Sequence, residues 1–229
     1  MINVGGPNIF IACMWRSGST HIATALSRLL NWRPATTAGF HGEGMEQQII
    51  NPFSSAILFP YGFQVFQQHT LGTPRNIDLL RNFGIRPIVT IRPFPDILIS
   101  LKEKKDSDPE KCVIPGLVFP RRWGSMSDEE KYRWLAYTAG AWLNEFKHSW
   151  DNANIPKLFV NYDDFYKDQV SGVKRILKHV GVSIPPDDNI SRFTSKKLEN
   201  YFNVGEFGRG KKLLPDSAWY ILEAQETLW

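Results

Sequence analysis

The sequence is poor in cysteine: Cys13 and Cys112 are its only two in 229 residues. So few thiols exclude the disulfide framework of a secreted mini-domain and lead to the expectation of a reduced, cytoplasmic setting. Long apolar runs are missing too, so no membrane-spanning helix is expected. The opening "MINVGGPNIF" lacks the basic start and apolar core of a secretory leader. No sign of charge dominates. Lys and Arg number 27 against 23 Asp and Glu, a net charge of +4. That mild excess suits a small anionic ligand and gives no case for a nucleic-acid partner. Internal repeats, heptads and low-complexity segments are absent, which excludes solenoids and coiled coils.

What is present fits one soluble domain over residues 1–229, long enough for a full core. Eight tryptophans and fifteen phenylalanines are many; most serve the core, and a minority are candidates to line an apolar pocket. Buried strands are expected at 9–14, 62–68, 86–91 and 156–161. Helical spacing predicts helices at 19–30, 47–57, 77–83, 95–104, 128–150 and 168–180, and from Asp216 onward. Ser127 is the N-cap of the 128–150 helix, with Glu130 in its first turn. This alternation predicts an α/β fold: a three-layer, helix-flanked central parallel β-sheet that binds ligands at the C-terminal strand ends. Residues 105–127 hold three prolines and two glycines and read as a lid or substrate loop. Cys13, in the first strand, reads as an inert core thiol.

The chemistry begins at "IFIACMWRSGSTHIA", an apolar strand that turns through Arg-Ser-Gly-Ser-Thr into a helix. Unpaired N–H groups and the dipole at a helix start attract an anion. Gly18 permits close approach of the backbone. Ser17, Ser19 and Thr20 offer hydroxyls, and Arg16 a guanidinium fork. A P-loop of ATP-binding type needs Gly, four residues, then Gly-Lys. With Gly18 as the second glycine, Cys13 stands at the first and Ser19 at the lysine, so an ordinary ATP site is disfavoured. A second element, "VTIRPFPDILIS", puts Arg92 at a strand end and Ser100 on the next helix, where both can reach one phosphate. Taken singly, Arg92 reads as a surface ion pair and Ser100 as a helix-surface residue.

Together the two elements resemble the sulfotransferase family that uses 3′-phosphoadenosine-5′-phosphosulfate (PAPS). The 16–20 loop is similar to its 5′-phosphosulfate loop in an arginine form. "IRPFPDILIS" is similar to its 3′-phosphate element, with Pro93 where the family often has Asn. "FVNYDDF" resembles the segment whose tyrosine, here Tyr162, contacts adenine. "SRFTSKKLEN" resembles the one whose aromatic, here Phe193, packs on adenine. "GEFGRGKKLLP" resembles the late loop in which Arg209 and Gly210 close over the 3′-phosphate. Where cytosolic members carry an adenine-stacking Trp after the first loop, His21 stands here, with Trp15 or Phe193 as the replacement surface.

The resemblance implies PAPS as the donor, its product 3′-phosphoadenosine-5′-phosphate (PAP), no required metal, and in-line sulfuryl transfer to a hydroxyl or amine. Arg16 takes the role of the family's lysine. For the general base, His69 in "FQQHTLGTP" leads, since it resembles a Lys-Thr-His-Leu-Pro segment in which Gln67 and Gln68 replace Lys and Thr. Glu43 and His41, in "GFHGEG", are the alternatives. The expected partner is a small-molecule or carbohydrate acceptor, with no nucleic acid or membrane and a homodimer left open. Two other readings stand beside it: a P-loop kinase of a small molecule, and a non-catalytic nucleotide-binding protein on the same fold.

Overall fold

The computed structural model describes residues 5–38, 47–110, 112–194 and 208–226. Five strands, β1 (Ile9–Cys13), β2 (Arg33–Ala35), β3 (Gln64–Gln68), β4 (Ile88–Ile91) and β5 (Leu158–Asn161), form one sheet in the order β2-β3-β1-β4-β5. Every pairing is parallel. The central β1 is apolar at every position because both its faces are covered, the usual condition of an inner parallel strand.

Alternate side chains go to opposite cores. Ile9, Ile11 and Cys13 of β1 join Val65, Ile88 and Val160 on one face. There they meet Ile22 and Leu26 of α1 (Ser19–Leu30) and Val173, Ile176 and Leu177 of α7 (Gln169–Val180). Phe10 and Ala12 join Phe66 and Val89 on the other face. That larger core is closed by α4 (Phe94–Ser107), α5 (Asp128–Asp151) and α10 (Asp216–Glu226). β3 lies on one side of β1 and β4 on the other, so a switch in strand order falls beside the end of β1, where such sheets open a crevice.

The expected α/β architecture is therefore present, with shifted boundaries. The strand expected from residue 62 starts at Gln64, because Gly62 and Phe63 both take positive φ, 67° and 53°, and turn the chain. The 47–57 helix begins only at Pro52 (α2, Pro52–Leu58). Asn51 caps it by accepting the Phe53 and Ser54 N–H groups at 2.9 and 3.1 Å. The 77–83 helix starts earlier, at Pro74 (α3, Pro74–Asn82), behind the Thr73 cap. Four elements went unanticipated: β2, α6 (Tyr162–Lys167), α8 (Asp187–Thr194) and α9 (Arg209–Leu213). All are short, and β2, sequence Arg-Pro-Ala, carries no apolar pattern.

The 105–127 segment divides in two. Its start belongs to α4, and its end is core: Trp123 is 4% exposed, packs edge-on to Phe119 and Trp134, and donates from Nε1 to Asp106 at 2.8 Å. Helix α5 opens with a full capping box. Ser127 Oγ accepts the Glu130 N–H at 3.2 Å, and a Glu130 carboxylate oxygen accepts the Ser127 N–H at 2.7 Å. At its far end Trp150, fully buried, donates from Nε1 to the Thr70 carbonyl at 2.8 Å and so ties the helix to the loop after β3. Trp150→Ala leaves a large cavity and an unpaired carbonyl. We expect a loss of about 3–5 kcal/mol in unfolding free energy, read by urea denaturation.

Candidate active site

Four adjacent strands deliver their C-terminal ends to one cleft. β3 ends beside His69, β1 runs into the 14–18 loop, β4 ends beside Arg92, and β5 passes directly into Tyr162. The cleft has a volume of about 590 Å3 and its lining includes each of these residues. That is the scale of a nucleotide-sized ligand site.

The 14–18 loop is held in an unusual shape. Arg16 has φ 56° and Gly18 φ 74°, both left-handed. Glycine takes that conformation freely, whereas arginine is strained there by roughly 1–2 kcal/mol. Three contacts impose it. Arg92 Nη1 donates to the Arg16 carbonyl at 3.1 Å, Arg16 Nε donates to Ser100 Oγ at 2.9 Å, and Ser17 Oγ donates to the Met14 carbonyl at 2.7 Å. The Thr90 hydroxyl lies 2.8 Å from Ser17 Oγ and, with that hydrogen already directed at Met14, is the donor of the pair. The Ser17 hydroxyl was expected to meet a ligand; it fastens the loop instead.

Gly18 is required twice over. Besides its φ, a Cβ there would come within 2.5 Å of the Tyr162 ring. No side chain caps the N-terminus of α1 and no acidic residue stands in its first turn, so the positive end of its dipole faces the cleft.

Around this start the cleft gathers positive charge. The Arg92 guanidinium lies 4.4 Å above the centre of the Tyr162 ring. Burial, and then the charge of Arg92, pull Arg16 below the usual arginine range. Arg92 Nε is buried without a hydrogen-bond partner. Two neighbouring cations with an orphaned donor are the complement of an anion. Ser100, Glu103, Lys104 and Ser107, on one face of α4, continue the lining.

Beyond Tyr162 stands an aromatic wall. Tyr166 stacks on Tyr162 at 5.6 Å and 23°, and the His21 ring lies 6.4 Å from Tyr166. His21 Nε2 is 3.1 Å from Gln169 Oε1, an acceptor, so Nε2 carries the proton. Nδ1 is buried and unpartnered. The orphaned Arg92 Nε and His21 Nδ1 beside stacked tyrosines fit a phosphorylated nucleotide.

On the opposite side, His69 Nδ1 is 2.8 Å from the Cys13 carbonyl oxygen and 3.3 Å from Cys13 Sγ. A carbonyl only accepts, so Nδ1 carries the hydrogen and Nε2 keeps a free lone pair. Trp15 and Trp142 stack on each other at 3.9 Å and meet the imidazole edge-on, 6.5 and 6.3 Å away. Burial disfavours charge on both His69 and Cys13, but each favours the charged form of the other. The net direction is a raised imidazole and a lowered thiol. Cys13 is buried as expected, yet it touches the imidazole and is not isolated in the core.

The sequence-derived candidates thus divide. Arg16, Ser17, Gly18, Ser19, Thr20, His21, His69, Arg92, Ser100 and Tyr162 all line the cleft. Phe193, on α8, and Arg209 and Gly210, on α9, are not in its lining. Asp96 accepts the Gly208 and Gly210 N–H groups at 3.0 and 2.6 Å, and Arg209 Nη1 donates to Glu103 at 2.9 Å. The described part of the late loop therefore docks on α4, with Arg209 held by Glu103, which lines the cleft. His41 and Glu43 lie outside the described residues. Gln67, Thr90, Glu103 and Tyr166 were not singled out as site residues. Tyr166 is one helical turn from Tyr162, and Gln67 shares a face of β3 with the side of His69, so period alone carried both signals. Among the described residues no group of three or more His, Cys, Asp or Glu is placed to hold a metal ion, and no helix is long and apolar enough to cross a membrane.

No family model and no curated protein matches the sequence. Solved structures do match. A mouse sulfotransferase, SULT7A1, complexed with PAP superposes with a TM-score of 0.66 at 14% identity, over 96% of this chain and 82% of its own. A retinol dehydratase complexed with retinol and PAP gives 0.61 at 14% identity, over 96% and 80%. The sulfotransferase domain of the Synechococcus PCC 7002 olefin synthase gives 0.51 at 12% identity, over 98% and 95%. The chain has the sulfotransferase fold.

Substitutions at Arg16 and Gly18 test the loop. Arg16→Gly and Arg16→Ala both remove the cation, but glycine also relieves the left-handed strain. The glycine variant is expected to be the more stable by about 1 kcal/mol in denaturant titrations. Gly18→Ala meets both the φ penalty and the Tyr162 ring and should lose about 2 kcal/mol or more. Adding Tyr162→Ala should recover only the part due to the clash.

Proposed function

We propose that the protein is a PAPS-dependent sulfotransferase that moves a sulfuryl group to a hydroxyl or amine of a small acceptor. The observation that carries this reading is the convergence of Arg16, Arg92 and Ser100 on the bare start of α1, within a sulfotransferase fold. Two arginines from different elements in one cleft suit a donor phosphorylated at two positions.

In this reading Arg16 and the N–H groups of 17–20 bind the 5′ end of the nucleotide, and Arg92 with Ser100 binds the 3′-phosphate. His21, Tyr162 and Tyr166 form the adenine wall. Bound there, the nucleotide supplies the sulfuryl group and a stable leaving phosphate. The Arg16 guanidinium and the helix start lower the energy of negative charge that builds up at the transferring group. His69 acts as general base: Nε2 accepts the acceptor's proton while Nδ1–H stays on the Cys13 carbonyl, and the charge formed is favoured by the adjacent thiol. Trp15, Val113, Ile114 and Pro115 close the cleft with apolar surface and limit water near the base. Ser107 and the 113–115 stretch are the parts of the expected 105–127 lid that line the cleft.

The test is a thermal-shift series followed by an acceptor screen with labelled PAPS. PAP should raise the melting temperature, and Arg92→Ala should abolish the rise. Stabilisation by ATP alone would assign the site to a kinase. PAP binding without transfer to any acceptor would leave a nucleotide-binding protein. His69→Ala should lower kcat by about 100- to 10,000-fold with PAP affinity retained. Near-normal turnover would transfer the role to another base, with Glu43→Ala the next variant to assay.

The pH profile offers a further check. The base works unprotonated and its pKa is raised, so activity should climb with pH through a value above that of ordinary imidazole. Cys13→Ala removes the group that raises it and leaves the opposing effect of burial. The acidic limb should therefore move to lower pH.

A further inference from the structure

Gln67 sits beside the phosphate loop where the resemblance leads to a lysine. Its side chain leaves β3 on the same face as that of His69 and enters the cleft lining. Its Nε2 donates to Ser19 Oγ at 3.0 Å and to Thr20 Oγ1 at 3.2 Å. A primary amide nitrogen has two hydrogens, and this geometry uses both.

A hydroxyl oxygen that accepts a hydrogen bond keeps one hydrogen to give away. With both oxygens held from the β3 side, the Ser19 and Thr20 hydrogens turn from Gln67. Ser19 has the Cys13 thiol as a further neighbour. Thr20, half-buried in the first turn of α1, has the cleft.

We propose that Gln67 is a positioning residue of the anion site: its carboxamide holds the Ser19 and Thr20 hydroxyls from the β3 side and leaves the Thr20 hydrogen as a donor toward a bound phosphate or sulfate oxygen. The loop then grips its anion with one close cation, Arg16, an oriented hydroxyl and the N–H groups at the start of α1. The inference rests on the anion-binding part of the proposed function and not on sulfuryl transfer.

Calorimetric titration of the full chain with inorganic pyrophosphate, and separately with PAP, tests it. Gln67→Met keeps the volume and removes both donors, and it should weaken each ligand about tenfold. Thr20→Val should weaken binding by a similar factor. Because the amide acts through the hydroxyls, Gln67→Met placed on Ser19→Ala/Thr20→Val should add no further loss. That coupling would not arise from a purely structural role. Wild-type or tighter binding by Gln67→Met, or losses that multiply in the combined variant, would overturn the proposal. If Gln67→Met does not fold, Gln67→Glu carries the test: a carboxylate takes the hydroxyl hydrogens and should weaken pyrophosphate by more than tenfold, and unchanged affinity would refute the idea. A wild type that binds pyrophosphate but not PAP refutes the nucleotide reading alone, while one that binds neither overturns both.

Discussion

Two guanidinium groups, Arg16 and Arg92, are held close enough to oppose each other's charge. Much of the site follows from what makes that tolerable. The Tyr162 ring spreads its electron-rich face under Arg92, the Ser100 hydroxyl takes the Nε hydrogen of Arg16, and the Arg16 carbonyl takes one from Arg92. The last two bonds tie the 14–18 loop to β4 and α4. They also hold Arg16 in a backbone conformation that an arginine avoids. Strain and like-charge repulsion both fall on one residue, a pattern that marks ligand sites more often than structural ones.

The sheet makes this arrangement possible. Parallel strands place all their C-terminal ends on one side, so β3, β1, β4 and β5 each contribute a functional group without long excursions of chain. The two cores on either side of β1 keep those ends fixed. The Trp15–Trp142 stack extends the larger core up to the cleft and meets the imidazole of His69 edge-on.

Much of this was legible in the sequence. Apolar runs bounded by Gly and Pro marked four of the strands, and the break of "IFIACMW" at Arg16 marked the loop that lines the cleft. Arg92 and Ser100 were legible because a strand end and a helix position eight residues on are local features. Less legible were groups defined by contact across the fold. Nothing local in "GEFGRGKKLLP" tells that Asp96 and Glu103 take its N–H groups and its arginine. Tyr166 was hidden because α6 starts on the very residue that ends the strand pattern. Gln67 read as a departure from a motif, since its role depends on hydroxyls 47 and 48 positions away.

The Asp96 carboxylate bonds to backbone groups 112 and 114 residues further along, and Arg16 to a serine 84 residues away. Such separations set an order on assembly during synthesis. The 14–18 loop leaves the ribosome before its fastenings, Arg92 and Ser100, which follow with β4 and α4, and the last dock on α4 waits for Gly210. A nascent chain halted before then would carry the arginine pair with its surroundings unfinished. Distant contacts of this kind also slow the search for the native state. The cleft is thus a late product of folding, although the 14–18 loop precedes most of its partners along the chain.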